Sequence, residues 1–338
     1  MASSPSARPT QRDIAELAGV SITTVSHVVN GTRAVAPGTR DAVLHAVEIT
    51  GYTGDAIARS LVTGGTRSLG VALAPQSDPH FGVLVRAIEH AAAAEGYAVL
   101  FADTHDSAET ELHKVRSLRS RRVDGLLLVP SPNDSIVLPE QASSTTPMVL
   151  LDRVTTRTDV DQVGVENIQA TSTLAEHLAS AGHRRIGLIN EGEGIPTSDE
   201  RTLGYRLGLG RAGVPWDPEL ITAGGPDRDQ GAGAFARLVE LPDPPTGMVV
   251  ASDVLLPGML REARARGIRL GRDMAVVGYG DPEWADLVDP TLTTMAQPVA
   301  EIGHRAVHTV LTRIADSNRE PEAVRVPPTF CHRRSCGC

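Results

Sequence analysis

The sequence is poor in aromatic residues, in lysine and in cysteine. Phenylalanine, tyrosine and tryptophan make up 3% of the 338 residues, so the cores must be built from aliphatic side chains, as in parallel sheets covered by helices. Of 32 basic residues only Lys114 is a lysine. The net charge of -9 argues against a chain that coats nucleic acid or anionic membrane without sequence preference, although it does not exclude a local DNA-reading module.

The cysteines are confined to the C-terminus. Cys331, Cys336 and Cys338 lie in the last eight residues, so no disulfide framework spans the body of the protein, which suits a reducing compartment. The N-terminus carries no apolar run of the kind found in secretory signal peptides. No stretch approaches the ~20 apolar residues of a membrane span. We therefore expect a soluble, cytoplasmic protein that does not contact membrane.

Two kinds of periodicity divide the chain. Residues 10–52 show the spacing of short helices, and from Ser68 onward apolar strands alternate with helices in two successive runs. This pattern predicts an α/β protein with an all-α N-terminal region and two doubly wound parallel-sheet lobes, with ligand bound in the cleft between them. The expected boundaries are a headpiece at 10–54, a hinge helix and linker at 55–67, and a core at 68–338, with an N-lobe of about 68–165 plus 297–320 and a C-lobe of about 166–296 plus 321–335.

The strongest motif is TQRDIAELAGVSITTVSHVVNG at residues 10–31. A helix, a glycine-containing turn and a second helix capped by Ser21 fit a helix-turn-helix, whose second helix lies in the major groove. The outer face of that helix can read base edges, while neighbouring polar groups suit phosphate contacts. The base-reading candidates are Ile22, Thr23, Ser26 and His27, and the phosphate candidates are Ser21, Thr24 and Asn30. A helical hairpin that binds no DNA is the alternative interpretation.

A third helix is expected from Pro37 to Gly51. Its inward residues are predicted to be Val43, Leu44, Val47 and Ile49, and the first helix is expected to place Ile14, Leu17 and Ala18 on one stripe. Residues 1–60 contain five arginines and five acidic residues, so the net charge of this region is zero. Such a headpiece binds non-specific DNA weakly, and tight binding needs two copies with good base contacts.

These motifs resemble the lactose-repressor (LacI/GalR) family of bacterial transcriptional regulators. The similar stretches include DIAELAGVSITTVSHVVNG, VAPGTRDAVLHAVEITGY and DAIARSLVTGGTRSLGVAL, and in the core VDGLLLVP, AEHLASAGHRRIGLI, GIRLGRDMAVVGYGDP and DPTLTTMAQP, ending in CHRRS. The resemblance spans roughly residues 10–335. It implies periplasmic-binding-protein-like lobes and a homodimer that binds palindromic double-stranded operator DNA.

The resemblance also implies a hinge helix that orders on DNA and inserts a leucine into the minor groove. By position that leucine is Leu61, with Ala58 packing across the dimer, and the alternative is that residues 55–62 are only a linker. His27 departs from the family, where arginine is common. A neutral imidazole cannot make the bidentate contact of arginine to guanine, so the operator sequence is open.

The family's effector-binding positions map to both lobes. They fall on Asp78, His80, Phe81, Asp152, Arg201, Ser252, Asp253, Tyr279, Asp281 and Gln297. Arg201 can clamp a hydroxyl pair or a carboxylate, and the aspartates can accept from sugar hydroxyls, although each of these residues could instead be a structural cap or ion pair. Ser252 stands where asparagine is usual and Gly280 where aspartate is common, which makes an ordinary hexose a less secure ligand.

Other signals in the sequence are weak. The GxGxxG match at 208–213 ends a helix instead of linking a strand to a helix, so it predicts no dinucleotide site. Cys331, His332, Cys336 and Cys338 could bind zinc, but they lack paired CxxC spacing, and we expect a frayed tail. We expect no metal, no cofactor and no catalytic residues.

The resulting hypothesis is a sequence-specific DNA-binding transcriptional regulator that acts as a repressor. A small-molecule effector, a sugar or related metabolite, would control its affinity for operator DNA. The alternatives are a solute-binding protein of the same two-lobed fold, against which the headpiece argues, and an enzyme, for which the cleft offers no evident nucleophile–base set. No C-terminal leucine heptad run is present, so we expect a dimer without a tetramerising tail.

Overall fold

The computed structural model divides the chain into two units, Met1–Arg67 and Ser68–Cys338. The residues it describes are 9–30, 33–52, 65–74, 79–132, 144–155, 159–225 and 228–338. The strands are β1 Ser68–Leu73, β2 Ala98–Asp103, β3 Gly125–Leu128, β4 Met148–Leu151, β5 Asp161–Val165, β6 Ile186–Asn190, β7 Ile221–Ala223, β8 Gly247–Val250, β9 Ala275–Tyr279, β10 Thr293–Ala296, β11 Ala323–Val326 and β12 Thr329–Cys331. The helices are α1 Gln11–Ala18, α2 Ile22–Asn30, α3 Pro37–Thr50, α4 Pro79–Ala94, α5 Ala108–Ser120, α6 Ile168–Ser180, α7 Pro196–Arg211, α8 Arg228–Val239, α9 Leu256–Ala265 and α10 Val299–Ala315.

Local capping explains where the helices of the first unit begin and end. Thr10 accepts a hydrogen bond from the backbone of Asp13, whose carboxylate accepts from Thr10 in return, so the two residues form a capping box at the start of α1. Gly19 ends α1 in the left-handed region at φ 66°, where glycine carries no steric penalty. Pro37 opens α3, because its fixed φ suits a first helical turn.

The first unit has a small core. Its fully buried residues are Ile14, Ala15, Val25, Val43 and Ala46, with Val20, Val28, Val29 and Val47 packed against them. The prediction that Leu44 and Ile49 point inward is wrong, since they are 46% and 63% exposed, and Leu17 is exposed as well. The small Ala46 occupies the inward face of α3 instead, one turn after Val43.

The second unit contains two six-stranded sheets. The strand order is β11-β5-β4-β3-β1-β2 in the first and β12-β10-β9-β8-β6-β7 in the second. Among the strands that the structure describes, all pairings are parallel except that of β12 with β10. Helices cover the sheets, and interior strands such as β3 and β8 are buried along their whole length. The predicted α/β fold class is therefore confirmed.

The chain passes between the two sheets three times. It leaves the first sheet after β5, returns after β10 to form α10, and leaves again after β11. β11 pairs with β5, Val324 lying opposite Val163, so residues 323–326 belong to the N-lobe. The assignment of 321–335 to the C-lobe is corrected for this strand, which extends the edge of the first sheet before β12 joins the second.

The C-terminal tail is ordered, and the prediction of a frayed end is wrong. Ser335 and Cys336 are fully buried. The Ser335 hydroxyl donates to the Val276 carbonyl at 2.6 Å, and the backbone N–H of Val276 donates to the Ser335 carbonyl at 2.8 Å. These bonds tie the tail to β9, a partner 59 residues away that local patterning cannot reveal.

Gly208 of the GxGxxG match has a packing role. A Cβ at this position would lie 2.4 Å from the carbonyl oxygen of Ser172, and one at Gly204 would lie 2.3 Å from that of Ile168. The two glycines, one helical turn apart, therefore allow α7 to approach α6 closely. Among the described helices, none has the length and apolar character needed to cross a lipid bilayer.

Candidate nucleic-acid interface and ligand cleft

The start of α2 presents a mixed apolar and polar surface. Ile22 is 49% exposed, Thr23 is exposed, and Ser26 and His27 are half-buried. Val25, on the opposite side of the helix, is fully buried in the core of the first unit. The predicted base-reading residues therefore lie away from that core, as an element that enters a groove requires.

Ser21 and Thr24 form the N-terminal cap of α2. The backbone N–H of Thr24 donates to the Ser21 hydroxyl at 3.1 Å, and the two hydroxyl oxygens are 2.8 Å apart. A capped helix N-terminus orients backbone N–H groups toward an anion, so phosphate can bind there with these hydroxyls beside it. The side chain of Asn30, and all of Ala58, Leu61 and Asp78, lie outside the described residues.

The second unit contains a polar cleft at the carboxyl ends of its strands. Its lining comprises Ala74, His80, Phe81, Asp106, Asp152, Arg153, Glu191, Thr197, Arg201, Ser252, Asp253, Val254 and Gln297. Seven of these are effector positions named from the sequence. The cavity volume is about 40 Å³, so the side chains of the two lobes lie close together across the cleft.

Asp152 is the buried acid on the N-lobe side. It follows β4 with φ 59°, in the left-handed region that aspartate adopts more readily than most residues. His80 Nε2 lies 3.5 Å from its Oδ1. Burial acts to raise the pKa of Asp152, but the hydrogen bond and charge of His80 and the guanidinium of Arg201 outweigh it, and the pKa is lowered. Asp152 is therefore a carboxylate able to accept hydrogen bonds from hydroxyl groups.

Arg201 of α7 is the buried cation on the C-lobe side. Its Nε donates to Asn167 Oδ1 at 2.9 Å and its Nη1 to the Ala251 carbonyl at 2.8 Å. The guanidinium carbon lies 4.0 Å from the centroid of the Tyr279 ring, which supports it from below. These three contacts fix the plane of the guanidinium before any ligand arrives.

The sequence analysis did not identify Arg153, Asp106 and Glu191. Arg153 Nη1 donates to Asp106 Oδ1 at 2.5 Å and to the Pro130 carbonyl at 3.1 Å, so the buried guanidinium is paired with an exposed carboxylate in the N-lobe wall. Asp106 follows β2 and Glu191 follows β6. A search for charged residues just after each strand would have found all three, because ligands bind at the carboxyl ends of parallel strands.

Gly280 and Asp253 explain one departure from the family pattern. Gly280 has φ 94°, and a Cβ there would lie 2.6 Å from Asp253 Cβ and 2.9 Å from its Oδ2. The side chain of Asp253 thus occupies the space that a residue larger than glycine would need.

Two predicted effector residues do not line the cleft. Tyr279 is fully buried beneath Arg201, and its hydroxyl donates to the Glu166 carbonyl at 3.1 Å. Asp281 accepts from Arg333 Nη1 at 2.7 Å and Nη2 at 3.0 Å, and from the Thr294 hydroxyl at 2.7 Å. Its assignment as a ligand contact is therefore corrected to a structural ion pair, and Tyr279 supports the site from behind.

Gln297 provides a hydrogen-bond acceptor just after β10, where the chain returns from the C-lobe to the N-lobe. Its Oε1 is buried, and no hydrogen-bond partner for it occurs among the residues that the structure describes. A buried amide oxygen without a partner costs free energy unless something donates to it. Gln297 also lines the cleft, so a ligand or water there can supply the donor.

Comparison with protein families gives two matches. The family of bacterial regulatory proteins, lacI family, matches residues 10–55, and the periplasmic binding protein-like domain matches residues 175–336. The HTH-type transcriptional repressor PurR of Yersinia pestis bv. Antiqua (strain Antiqua) is 32% identical over 329 residues, which cover 96% of this chain and 96% of PurR.

Solved structures agree with these matches. The Lac repressor dimer bound to operator and the anti-inducer ONPF is 27% identical, with a TM-score of 0.89 over 98% of this chain and 99% of that one. A complex of the transcriptional regulator CelR with cellobiose is 29% identical, with a TM-score of 0.73 over 97% of this chain and 100% of that one.

Proposed function

Because the chain belongs to the LacI family of bacterial regulatory proteins, we propose that it is a homodimeric transcriptional repressor whose affinity for operator DNA is set by a small molecule bound between its lobes. The resemblance inferred from the sequence motifs is confirmed by the same matches. The PurR and Lac proteins that it resembles are repressors.

One observation carries this proposal: a single chain joins a helix-turn-helix unit to a two-lobed unit with a polar cleft. Solute binding by a protein of the same two-lobed fold does not require the helix-turn-helix unit. DNA binding that is independent of ligand does not require a cleft in which buried Asp152 and Arg201 are held in fixed orientations. The two parts together favour regulation of DNA binding by a ligand.

The DNA-binding step depends on the exposed face of α2. In the major groove, Ile22 can contact a thymine methyl group, and Thr23 and His27 can hydrogen-bond to base edges. The cap at Ser21 and Thr24 positions the helix on phosphate. Because residues 1–60 carry no net charge, one copy binds weakly, and a dimer on a palindrome provides the second set of base contacts.

The N-lobe offers a surface for the dimer. β2 is the edge strand of the first sheet, and Phe101 on it is 47% exposed. The unpaired backbone N–H and C=O groups of an edge strand can pair with another chain. We therefore place part of the dimer contact on this edge, which is the side of the N-lobe away from β11.

The cleft favours a ligand rich in hydroxyl groups, such as a sugar or a related metabolite. Asp152, Asp253 and Gln297 supply acceptors, and Arg201 and Ser252 supply donors. The lining contains four acidic residues and two arginines, one of which is paired with Asp106, so a polyanion is disfavoured. Arg201 can clamp two neighbouring hydroxyls of such a ligand.

Lobe movement links the cleft to the DNA-binding unit. His80 and Asp152 belong to the N-lobe, and Arg201 and Asp253 to the C-lobe, so a ligand that contacts both favours the closed arrangement. The three passages between the lobes are the natural hinges. To move the equilibrium between the open and closed arrangements from 1:99 to 99:1, the ligand must bind one arrangement about 5.5 kcal/mol more tightly than the other. The two ligand sites of a dimer can each supply part of this difference in binding free energy.

A ligand screen with a matched pair of arginine variants tests the effector site. Sugars, sugar alcohols and nucleosides are screened by the rise in melting temperature of the full chain. Arg201→Met removes the cleft guanidinium, whereas Arg206→Met, on the same helix α7, removes one that stacks on Trp216 outside the cleft lining. A hit should stabilise the wild type and Arg206→Met but not Arg201→Met, and should change operator affinity. A ligand that stabilises all three proteins equally would contradict this site.

A further inference from the structure

Four metal-binding side chains meet on the C-lobe, away from the cleft. His177 lies in the last turn of α6, and His332, Cys336 and Cys338 follow β12. The donor atoms of these four side chains all lie within 4.8 Å of one another. Cys331 is not part of the group, so the spacing in the sequence suggested only three of the four members and could not reveal His177.

Three of the six separations between donor atoms are close to those of a tetrahedral ion. Cys336 Sγ is 3.2 Å from His332 Nε2, and Cys338 Sγ is 3.4 Å from His177 Nε2 and 3.5 Å from His332 Nε2. Tetrahedral zinc, with Zn–S of about 2.3 Å and Zn–N of about 2.0 Å, needs donor separations of about 3.3–3.8 Å. The two sulfur atoms, 3.1 Å apart, need to separate by only about 0.7 Å.

The same sulfur atoms are free thiols and not a disulfide. Their 3.1 Å separation far exceeds the roughly 2.05 Å of an S–S bond. Cys336 Sγ accepts hydrogen bonds from the Thr293 hydroxyl and the Cys338 thiol.

The surroundings also neutralise the arginines of the loop. Arg333 is paired with Asp281 and Arg334 with Asp289, so these two cations are drawn to carboxylates outside the cluster. The buried Ser335 hydroxyl is hydrogen-bonded to the backbone of Val276 and of Thr293, and these bonds hold the loop in place beside the two arginines.

We propose that His177, His332, Cys336 and Cys338 form a Cys₂His₂ site for a structural Zn²⁺ ion that staples the C-terminal tail to α6. Two thiolates and two imidazoles are a donor set of structural zinc sites, and thiolate ligands disfavour Mg²⁺ and Ca²⁺. On binding, the Cys336 and Cys338 thiols each lose a proton to solvent, and the two resulting thiolates balance the charge of the ion. Thr293, which donates to Cys336 Sγ at 3.4 Å, orients that ligand from behind.

Cobalt and zinc titration of the reduced, untagged full chain tests this site. We expect one Co²⁺ per chain, with the visible bands and the thiolate charge-transfer band of tetrahedral cobalt, and displacement of Co²⁺ by Zn²⁺. Cys338→Ser and His332→Asn alter exposed residues and so leave folding intact, and each should weaken binding by at least about 100-fold. The control Cys331→Ser removes the neighbouring thiol outside the cluster and should bind as the wild type does.

Thermal unfolding tests the stapling role. Zn²⁺ should raise the melting temperature of the wild type and of Cys331→Ser but not that of Cys338→Ser. A wild-type chain that binds no stoichiometric Co²⁺, or a Cys338→Ser variant that binds it unchanged, would overturn the site. A Cys336–Cys338 disulfide that persists in the reduced preparation would also overturn the site. Zn²⁺ binding without a rise in melting temperature would contradict the proposed stabilisation of the C-terminal tail by the ion.

Discussion

Replacement of Ile22 by alanine separates base reading from stability. Ile22 opens α2 and is 49% exposed, so it contributes little to the core of the first unit. Complete burial of an isoleucine side chain is worth about 1.5–3 kcal/mol, so covering the exposed half against a thymine methyl contributes about 1 kcal/mol per half-site. A dimer on two half-sites then loses about 2 kcal/mol, or about 30-fold in operator affinity.

The assay is fluorescence anisotropy with an operator duplex at fixed salt, because phosphate contacts make affinity strongly salt-dependent. Leu17→Ala is the matched control, since Leu17 is 55% exposed on α1 in the same unit. Both variants should unfold within about 0.5 kcal/mol of the wild type, and only Ile22→Ala should lose affinity and base preference. Equal affinity for the two variants would refute the assignment of the α2 face to base reading.

Three further predictions concern the cleft, the Asp281–Arg333 pair and the hinge. Gly280→Asp should lower stability by at least about 1 kcal/mol and gain no hexose binding, because φ is 94° and its Cβ would overlap Asp253; a stable variant with new hexose binding would contradict the interpretation. Asp281→Asn should lower the free energy of unfolding at pH 7 by about 1–2 kcal/mol while ligand binding is retained. Burial acts to raise the pKa of Asp281, but Arg333 and Thr294 outweigh it and hold the pKa below its ordinary value. The carboxylate therefore adds to the free energy of unfolding above about pH 4, and this stabilisation is lost as the pH falls through the folded-state pKa. Urea unfolding at two pH values should show the variant converging on the wild type in acid, and a constant difference would contradict the ion pair. Leu61→Ala should weaken operator binding and leave ligand binding intact, and unchanged operator affinity would refute the hinge assignment.

Local patterns in the sequence were enough to predict α2 and its cap. Ser21 before the helix and Val25 inside it obey short-range rules of capping and periodicity, and both behave as expected. Arg201, Asp152 and Ser252 were found by position in the family. Asp152 and Ser252 follow the carboxyl ends of β4 and β8, one in each sheet, and these ends line the cleft together with Arg201 of α7.

Long-range pairing accounts for what was missed. Asp281 looks like a ligand contact until Arg333, 52 residues later, is seen to hold it. β11 carries no signal of which sheet edge it joins, and only its register with β5 places it in the N-lobe. The tail residues have no hydrophobic period, and their order comes from bonds to Val276 and Thr293.

Selection of bound duplexes from a random DNA library tests the central claim most directly. The full chain is used at fixed near-physiological salt, with and without a mixture of metabolites, so that a required co-ligand does not hide binding. The account predicts enrichment of a palindrome in at least one condition, with Ile22→Ala losing preference at symmetric positions within it. Recovery of no enriched site in either condition would contradict a sequence-specific repressor.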